Sequence, residues 1–285
     1  MTPASDGRLR PVEHYENFPV ASWLCPPRLR RPVAAIYWFA RTADDIADEG
    51  DAPAAQRLAD LESYRSDLQA CLGGRSDSGR WPAVFPALRS AVDAFALPAQ
   101  PLTRLLDAFE QDVHKTAAGA GYADRNELLA YCSRSADPVG RLLLHLYGVD
   151  DAAALAQSDA ICSALQLVNF WQDLGVDVPR GRYYLPAEDC RRFGIDPDAP
   201  QTWAAHPRAP ELVQALCAWT RDLMLAGAPL VHRVPGRAGW ELRLVVQGGL
   251  RVLRRIERLH FRTFQQRPRL GPSDGPAMLW RAARM

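Results

Sequence analysis

The chain has 285 residues, 48% of them hydrophobic, with a formal net charge of +1. That length supports a substantial core, and the near-neutral charge supplies no bulk field to attract nucleic acid. Six cysteines stand singly with no CxxC pair, so reduced, buried thiols are expected and a disulfide framework is not.

Residues 1–13 are polar and read as irregular. A short segment over 14–24 precedes Pro26-Pro27, residues suited to a helix start. Helical spacing of Leu29, Val33, Ile36, Tyr37 and Ala40 predicts a helix over 28–48. A second helix is predicted over 54–72, with Leu58, Leu61, Tyr64, Leu68 and Leu72 on one face and Gly73-Gly74 as its stop. Helices over 82–95 and 101–118 follow, and Asp124 caps one through Leu128 and Cys132. Asp137-Pro138 opens another that runs to Gly148. The next, ending ICSALQLVNFWQDLGVD over 161–177, is mostly apolar. An extended turn over 178–186 and a Pro-rich region over 197–210 lead to helices near 211–231 and 239–264. The tail over 266–285 reads as irregular. With few alternating patterns and no short repeat, the fold class is all-α, one helical domain spanning 1–285.

Chemistry concentrates in two places. Gln166, Asn169, Asp173 and Asp177 stand three, four and four residues apart, one stripe on an otherwise buriable helix. Such a stripe is costly without partners. The second place is Asp44, Asp45 and Asp48, which share one side of a helix end one turn beyond Arg41. Taken alone, the first run of aspartates reads as a solvated helix end, and Asp173 and Asp177 as a turn cap or as partners of Arg180 or Arg182. Their coincidence on two apolar helices favours a joint cation site. Oxygen ligands with no His–Cys set suit Mg²⁺ shared with a phosphate and not Zn²⁺. No phosphate loop, dinucleotide fingerprint, nucleophile elbow or HExxH is present. The arginines at 251, 254, 255, 258 and 262 read as a solvated helix face, with phosphate or anionic membrane contact as the alternative.

At these residues the chain resembles the squalene and phytoene synthases, the head-to-head prenyl synthases. Arg41-Thr-Ala-Asp44-Asp45-Ile-Ala-Asp48 matches that family's first aspartate motif. Tyr131-Cys132 through Ala136 to Val139-Gly140 resembles its central motif, and Gln166-Leu-Val-Asn169-Phe-Trp-Gln-Asp173-Leu-Gly-Val-Asp177 matches the second. Arg182-Tyr183-Tyr184 matches its downstream Arg-x-Tyr. The resemblance implies an isoprenoid-synthase fold around a central cavity, with Mg²⁺ held by Asp44, Asp45, Asp48, Asn169, Asp173 and Asp177. It implies diphosphate or substrate contacts from Arg41, Gln166, Asn169, Arg182 and Tyr184, with apolar side chains sheathing the prenyl chains.

Two departures stand out: Gln172 where the family has Arg, and Tyr15-Glu16-Asn17-Phe18 near the N-terminus. With Glu16 to Ser22, they make the chain most similar to the hydroxysqualene synthases of the bacterial hopanoid route. That branch implies conversion of presqualene diphosphate and water to hydroxysqualene and diphosphate, beside a presqualene diphosphate synthase paralogue and a flavin-dependent reductase. Tyr131, Asn17 and Gln172 are then the candidates to hold the quenching water. The alternatives are condensation of two prenyl diphosphates and a non-catalytic scaffold relative. No apolar run reaches the ~20 residues of a membrane span, and the N-terminus lacks the apolar centre of a signal peptide. The expected location is cytoplasmic, with peripheral membrane contact left open.

Overall fold

The computed structural model describes residues 24–285. The reading of Asn17, and of the segment around it, lies outside the described residues. Twelve α-helices and three short 3-10 turns make up the regular structure of the described residues, which contain no strand. The all-α expectation holds.

The first four helices are α1 (Pro27–Asp48), α2 (Ala54–Leu72), α3 (Phe85–Phe95) and α4 (Ala99–Ala118). They bury one apolar cluster around Leu29, Phe39, Tyr64, Phe85 and Leu105. Tyr64 stacks on Phe39 at 5.3 Å and donates from its hydroxyl to the Phe39 carbonyl at 3.0 Å, so its buried polar atom is satisfied. The next are α5 (Arg125–Ser135), α6 (Asp137–Tyr147) and α7 (Ala152–Asp177). Asp124 accepts from the Glu127 amide and Asp151 from the Ala154 amide, so both predicted and unpredicted caps close the N-termini of α5 and α7.

Two short helices follow, α8 (Ala187–Arg192) and α9 (Pro200–Trp203). The first lies just past the predicted turn, where no element is predicted, and the second lies within the stretch read as Pro-rich loop. In α8, Glu188 and Asp189 sit in the first turn and Arg191 and Arg192 in the last, which suits the helix dipole. The chain ends with α10 (Ala209–Gly227), α11 (Gly236–Arg258) and α12 (Gly275–Ala282). The helix α11 stops at Arg258 and not at 264, because His260 and Phe261 take left-handed φ values of 51° and 60°.

The 26-residue α7 is the central member. It packs along α6, α10 and α11, and glycines set two of those approaches. A Cβ at Gly140 would come within 2.4 Å of the Ser158 hydroxyl, and one at Gly227 within 2.6 Å of the Gln157 carbonyl. Trp171 points away from the interior cavity: its Nε1 donates to Thr220 on α10 at 2.7 Å.

The tail over 266–285 is not irregular throughout. A 3-10 turn at Pro272–Asp274 leads into α12, which packs on α11. Asp274, 1% exposed, accepts from Arg251 at 2.5 Å and Arg255 at 2.6 Å. Those two arginines are therefore not part of a solvated face. A bond between residues 19 and 23 positions apart leaves no mark in local periodicity.

Candidate active site

The helices α1 and α7 both bring their C-terminal ends to the same cavity. Its polar part, ≈ 980 Å³, is lined by Arg41, Asp44 and Asp48 from α1 and by Gln166, Asn169, Asp173 and Asp177 from α7. The downstream loop adds Arg182 and Tyr184, α5 adds Tyr131, and α4 adds Asp112. Neither α1 nor α7 has a basic residue in its last turn. Carboxylates at helix C-termini meet the negative end of the helix dipole, so this arrangement opposes stability unless cations arrive.

The electrostatics agree. Burial and the neighbouring Asp48 push the Asp44 carboxyl up to about 7, against the pull of Arg41. Burial and Asp173 do the same to Asp177, also to about 7. Asp44, Asp45 and Asp48 place one oxygen each within 4.8 Å of one another. Arg41 pairs with Asp44 at 3.3 Å and Asp45 at 2.7 Å. Asp45 belongs to that cluster yet does not line the cavity. Arg182 bridges from the loop to Asp48 at 2.7 Å, tying the two walls together. The other oxygen of Asp48, Oδ1, is buried with no hydrogen-bond partner. An orphaned carboxylate oxygen among oxygen donors fits a hard divalent cation.

Asp112 was not singled out from sequence. It accepts from the Tyr131 hydroxyl at 2.5 Å, and burial pushes it up to about 7 although that bond lowers it. It sits three residues after Phe109 and one before Val113, on the buried face of α4. A carboxylate on an apolar stripe was the available signal. Tyr131, Phe170 and Tyr184 form the aromatic floor, with Phe170 and Tyr184 stacked at 3.7 Å.

Gln172 is elsewhere. It is 1% exposed, does not line the cavity, and donates from Nε2 to the Pro268 carbonyl at 2.7 Å. The next position along an α-helix points about 100° away, so Asp173 faces the cavity while Gln172 faces the tail. The residue read as a candidate to hold the water therefore stands off the described cavity wall. Arg267, from that tail, does line the cavity and binds both oxygens of Asp173, at 2.5 and 2.8 Å. Nothing in the Pro-rich tail signalled it.

Beneath the polar part lies an apolar pocket of ≈ 380 Å³, lined by Ile36, Tyr37 and Ala40 from α1 and Ile161, Cys162 and Leu165 from α7. These residues precede the aspartates on the same two helices. Along these two helices the lining therefore changes from hydrocarbon to carboxylates.

The squalene/phytoene synthase family model matches residues 12–274. The chain belongs to the squalene/phytoene synthase family. It is 34% identical to a hydroxysqualene synthase of Rhodopseudomonas palustris, over 90% of this chain and 85% of that protein. It is 30% identical to a presqualene diphosphate synthase of the same organism, over 78% of this chain and 76% of that one. A crystal structure of a squalene synthase from Alicyclobacillus acidocaldarius superposes with a TM-score of 0.78 at 33% identity, covering 88% of this chain and 91% of that one. Membership makes the chain an enzyme of isoprenoid biosynthesis that takes a prenyl diphosphate. No helix among the described residues is long and apolar enough to cross a membrane.

Proposed function

We propose that this enzyme converts presqualene diphosphate and water to hydroxysqualene and diphosphate, using Mg²⁺. The observation that carries the reading is the cavity itself, where carboxylates from two helix C-termini face each other above an apolar pocket. That shape suits a molecule with a diphosphate at one end and hydrocarbon at the other. The similarity to hydroxysqualene synthases supports the branch.

Asp44, Asp48, Asn169, Asp173 and Asp177 would hold Mg²⁺, with Asp45 supporting the first group through Arg41. The metal would supply charge to stabilise the departing diphosphate. Arg41 and Arg182, already at the cavity edge, would bind phosphate oxygens once released from their aspartates. Gln166, which lines the cavity, offers an amide to the same group. Tyr131, Phe170 and Tyr184 would place electron-rich ring faces beside the carbocation. The residues of the apolar pocket would sheath the prenyl chains and exclude stray water. The water that ends the reaction adds its oxygen to the cation and releases one proton. Tyr131 and its partner Asp112 form the hydrogen-bonded pair best placed to order that water and receive the proton.

Incubation with presqualene diphosphate and Mg²⁺ should yield a C30 alcohol by mass spectrometry, with or without NADPH. No alcohol from that substrate would end the proposal. Similarity to presqualene diphosphate and phytoene synthases favours one other reading, condensation of two prenyl diphosphates. Feeding farnesyl or geranylgeranyl diphosphate alone discriminates, since only a condensing enzyme gives a C30 or C40 product from either. Cytoplasmic location, a single domain, and work beside a presqualene diphosphate synthase and a flavin-dependent reductase complete the proposal.

A further inference from the structure

The chain leaves helical structure after Arg258, and beyond Gln265 it crosses the cavity end of α7 as a strap before entering α12. Two neighbouring contacts register it. Gln172 donates to the Pro268 carbonyl at 2.7 Å, and Arg267 grips Asp173 at 2.5 and 2.8 Å. On each side the partners are consecutive residues. Further contacts hold the strap at both ends. The Phe264 carbonyl lies so near α7 that a Cβ at Gly175 would come within 2.5 Å of it. At the other end Asp274 is clamped between Arg251 and Arg255.

The two registering contacts differ in kind. Arg267 keeps 35% of its side-chain surface open and reaches into the cavity, whereas Gln172 is 1% exposed. A long side chain on an irregular segment loses much rotamer freedom when it is fixed at one carboxylate. Between α11 and the 3-10 turn before α12 the strap runs without regular helical structure. A buried amide bonded to the carbonyl of the adjoining residue constrains it. An apolar side chain at 172 would leave the Pro268 carbonyl buried without its donor, which drives the strap toward water.

We infer that Gln172 is a positioning residue: by fixing the strap through the Pro268 carbonyl, it sets the Arg267 guanidinium across Asp173 at the cavity. Gln172 does not line the cavity and acts through Arg267. The consequence is a carboxylate that meets an arriving cation already neutralised from behind. The cation and Arg267 compete for Asp173, and the displaced guanidinium stays within reach of the anion that the cation carries. This rests on the proposed cation–diphosphate site but not on which prenyl substrate is used.

The test is a comparison of the full-length protein with Gln172→Met, Arg267→Ala and the double variant. Two readouts are followed: hydrogen exchange over 266–270, and calorimetric affinity for inorganic pyrophosphate with Mg²⁺. In Gln172→Met, exchange over 266–270 should rise and pyrophosphate affinity should fall about tenfold, the scale for losing support behind a ligand group. Added to Arg267→Ala, the same change should alter affinity less than twofold. Arg267→Ala alone should leave the strap protected, because the anchor remains. The inference is overturned if Gln172→Met keeps native exchange over 266–270. An affinity loss equally large in the Arg267→Ala background overturns it too. Should Gln172→Met not fold, Arg267→Ala decides alone, since a freed strap there shows that Gln172 is not the anchor. If the unsubstituted protein does not bind magnesium and pyrophosphate, the proposed function fails, and the exchange data still judge Gln172.

Discussion

Asp44 and Asp173 stand on opposite walls of one cavity, each beside an arginine that a substrate can take over. Arg41 lies 3.3 Å from Asp44, and Arg267 lies 2.5 Å from Asp173. Replacing either by Asn removes a ligand charge while relieving repulsion among carboxylates. Asp44→Asn and Asp173→Asn should each lower Mg²⁺-dependent turnover by about a hundredfold or more, the upper end for a lost metal-site group. The melting temperature of the metal-free protein should hold or rise in Asp44→Asn, which calorimetry checks. Asp137 is a different case, away from the cavity. It is 6% exposed and accepts from Ser163 at 2.8 Å, and burial pushes it up to about 7. An acid with a raised folded pKa stabilises the fold at pH below its ordinary value near 4, and that contribution is lost as pH climbs to about 7. Asp137→Asn should therefore flatten the pH dependence of stability between about 4 and 7 and raise stability at pH 8, with about 4 kcal/mol as the ceiling. Denaturant melts at several pH values measure this.

Secondary-structure elements were readable from sequence where their signals were local. The bounds of α2, the cap of α5 and the last residue of α7 all follow from periodicity, cap residues and glycine stops. The short α8 and α9, and α12, were not readable, since each is held by contacts from distant parts of the chain. For α12 the holding contact is Asp274, pinned by its own loop amide and two arginines of α11. Burial works against its charge, yet the Gly271 amide, Arg255 and Arg251 outweigh that and lower its pKa to about 2. Its contribution is present above about 4 and lost as pH falls toward 2. Asp274→Asn should cost about 3 kcal/mol, the scale for breaking a buried ion pair, and should raise hydrogen exchange across α12 before the rest of the fold opens. A close helix approach gives a separate prediction. At Gly227 an added Cβ would meet the Gln157 carbonyl at 2.6 Å and the Ile161 amide at 3.0 Å, both backbone atoms. Gly227→Ala should lower stability by about 1–3 kcal/mol, as overpacking does, seen as a lower denaturant midpoint.

At the scale of the molecule, two apolar clusters flank a cavity whose polar end concentrates negative charge. One cluster belongs to α1 to α4 with part of α6, and the other is built chiefly around α7, α10 and α11. Asp44, Asp112 and Asp177 are all pushed up to about 7. In the absence of metal the folded protein therefore holds protons that the unfolded chain releases, and its stability falls as pH rises from about 4 through 7. Mg²⁺ should offset this loss. At a hundredfold excess over its Kd the gain is about 2.7 kcal/mol, or about 5–10 °C in melting temperature for a chain of this size. That shift should be large at pH 8, small at pH 5, and abolished by chelator. A pH-independent shift would mean that the metal binds away from these carboxylates.

The sequence by itself determined the helical class, the two aspartate motifs and the family, because helical periodicity and motif spacing are written in neighbouring residues. It also determined that Gln166, Asn169, Asp173 and Asp177 share one stripe, since an α-helix fixes that geometry. Only the tertiary structure decided what each stripe faces. It joined α1 to α7 at their C-terminal ends, brought in Asp112 from α4, and delivered Arg267 from a tail that carries no helical signal of its own. It also turned Gln172 away from the cavity, because neighbouring helix positions point about 100° apart and the strap already occupies that side. Contacts such as Gln172 with Pro268 span 96 residues. No local pattern encodes a separation of that length, and the packed chain alone closes it.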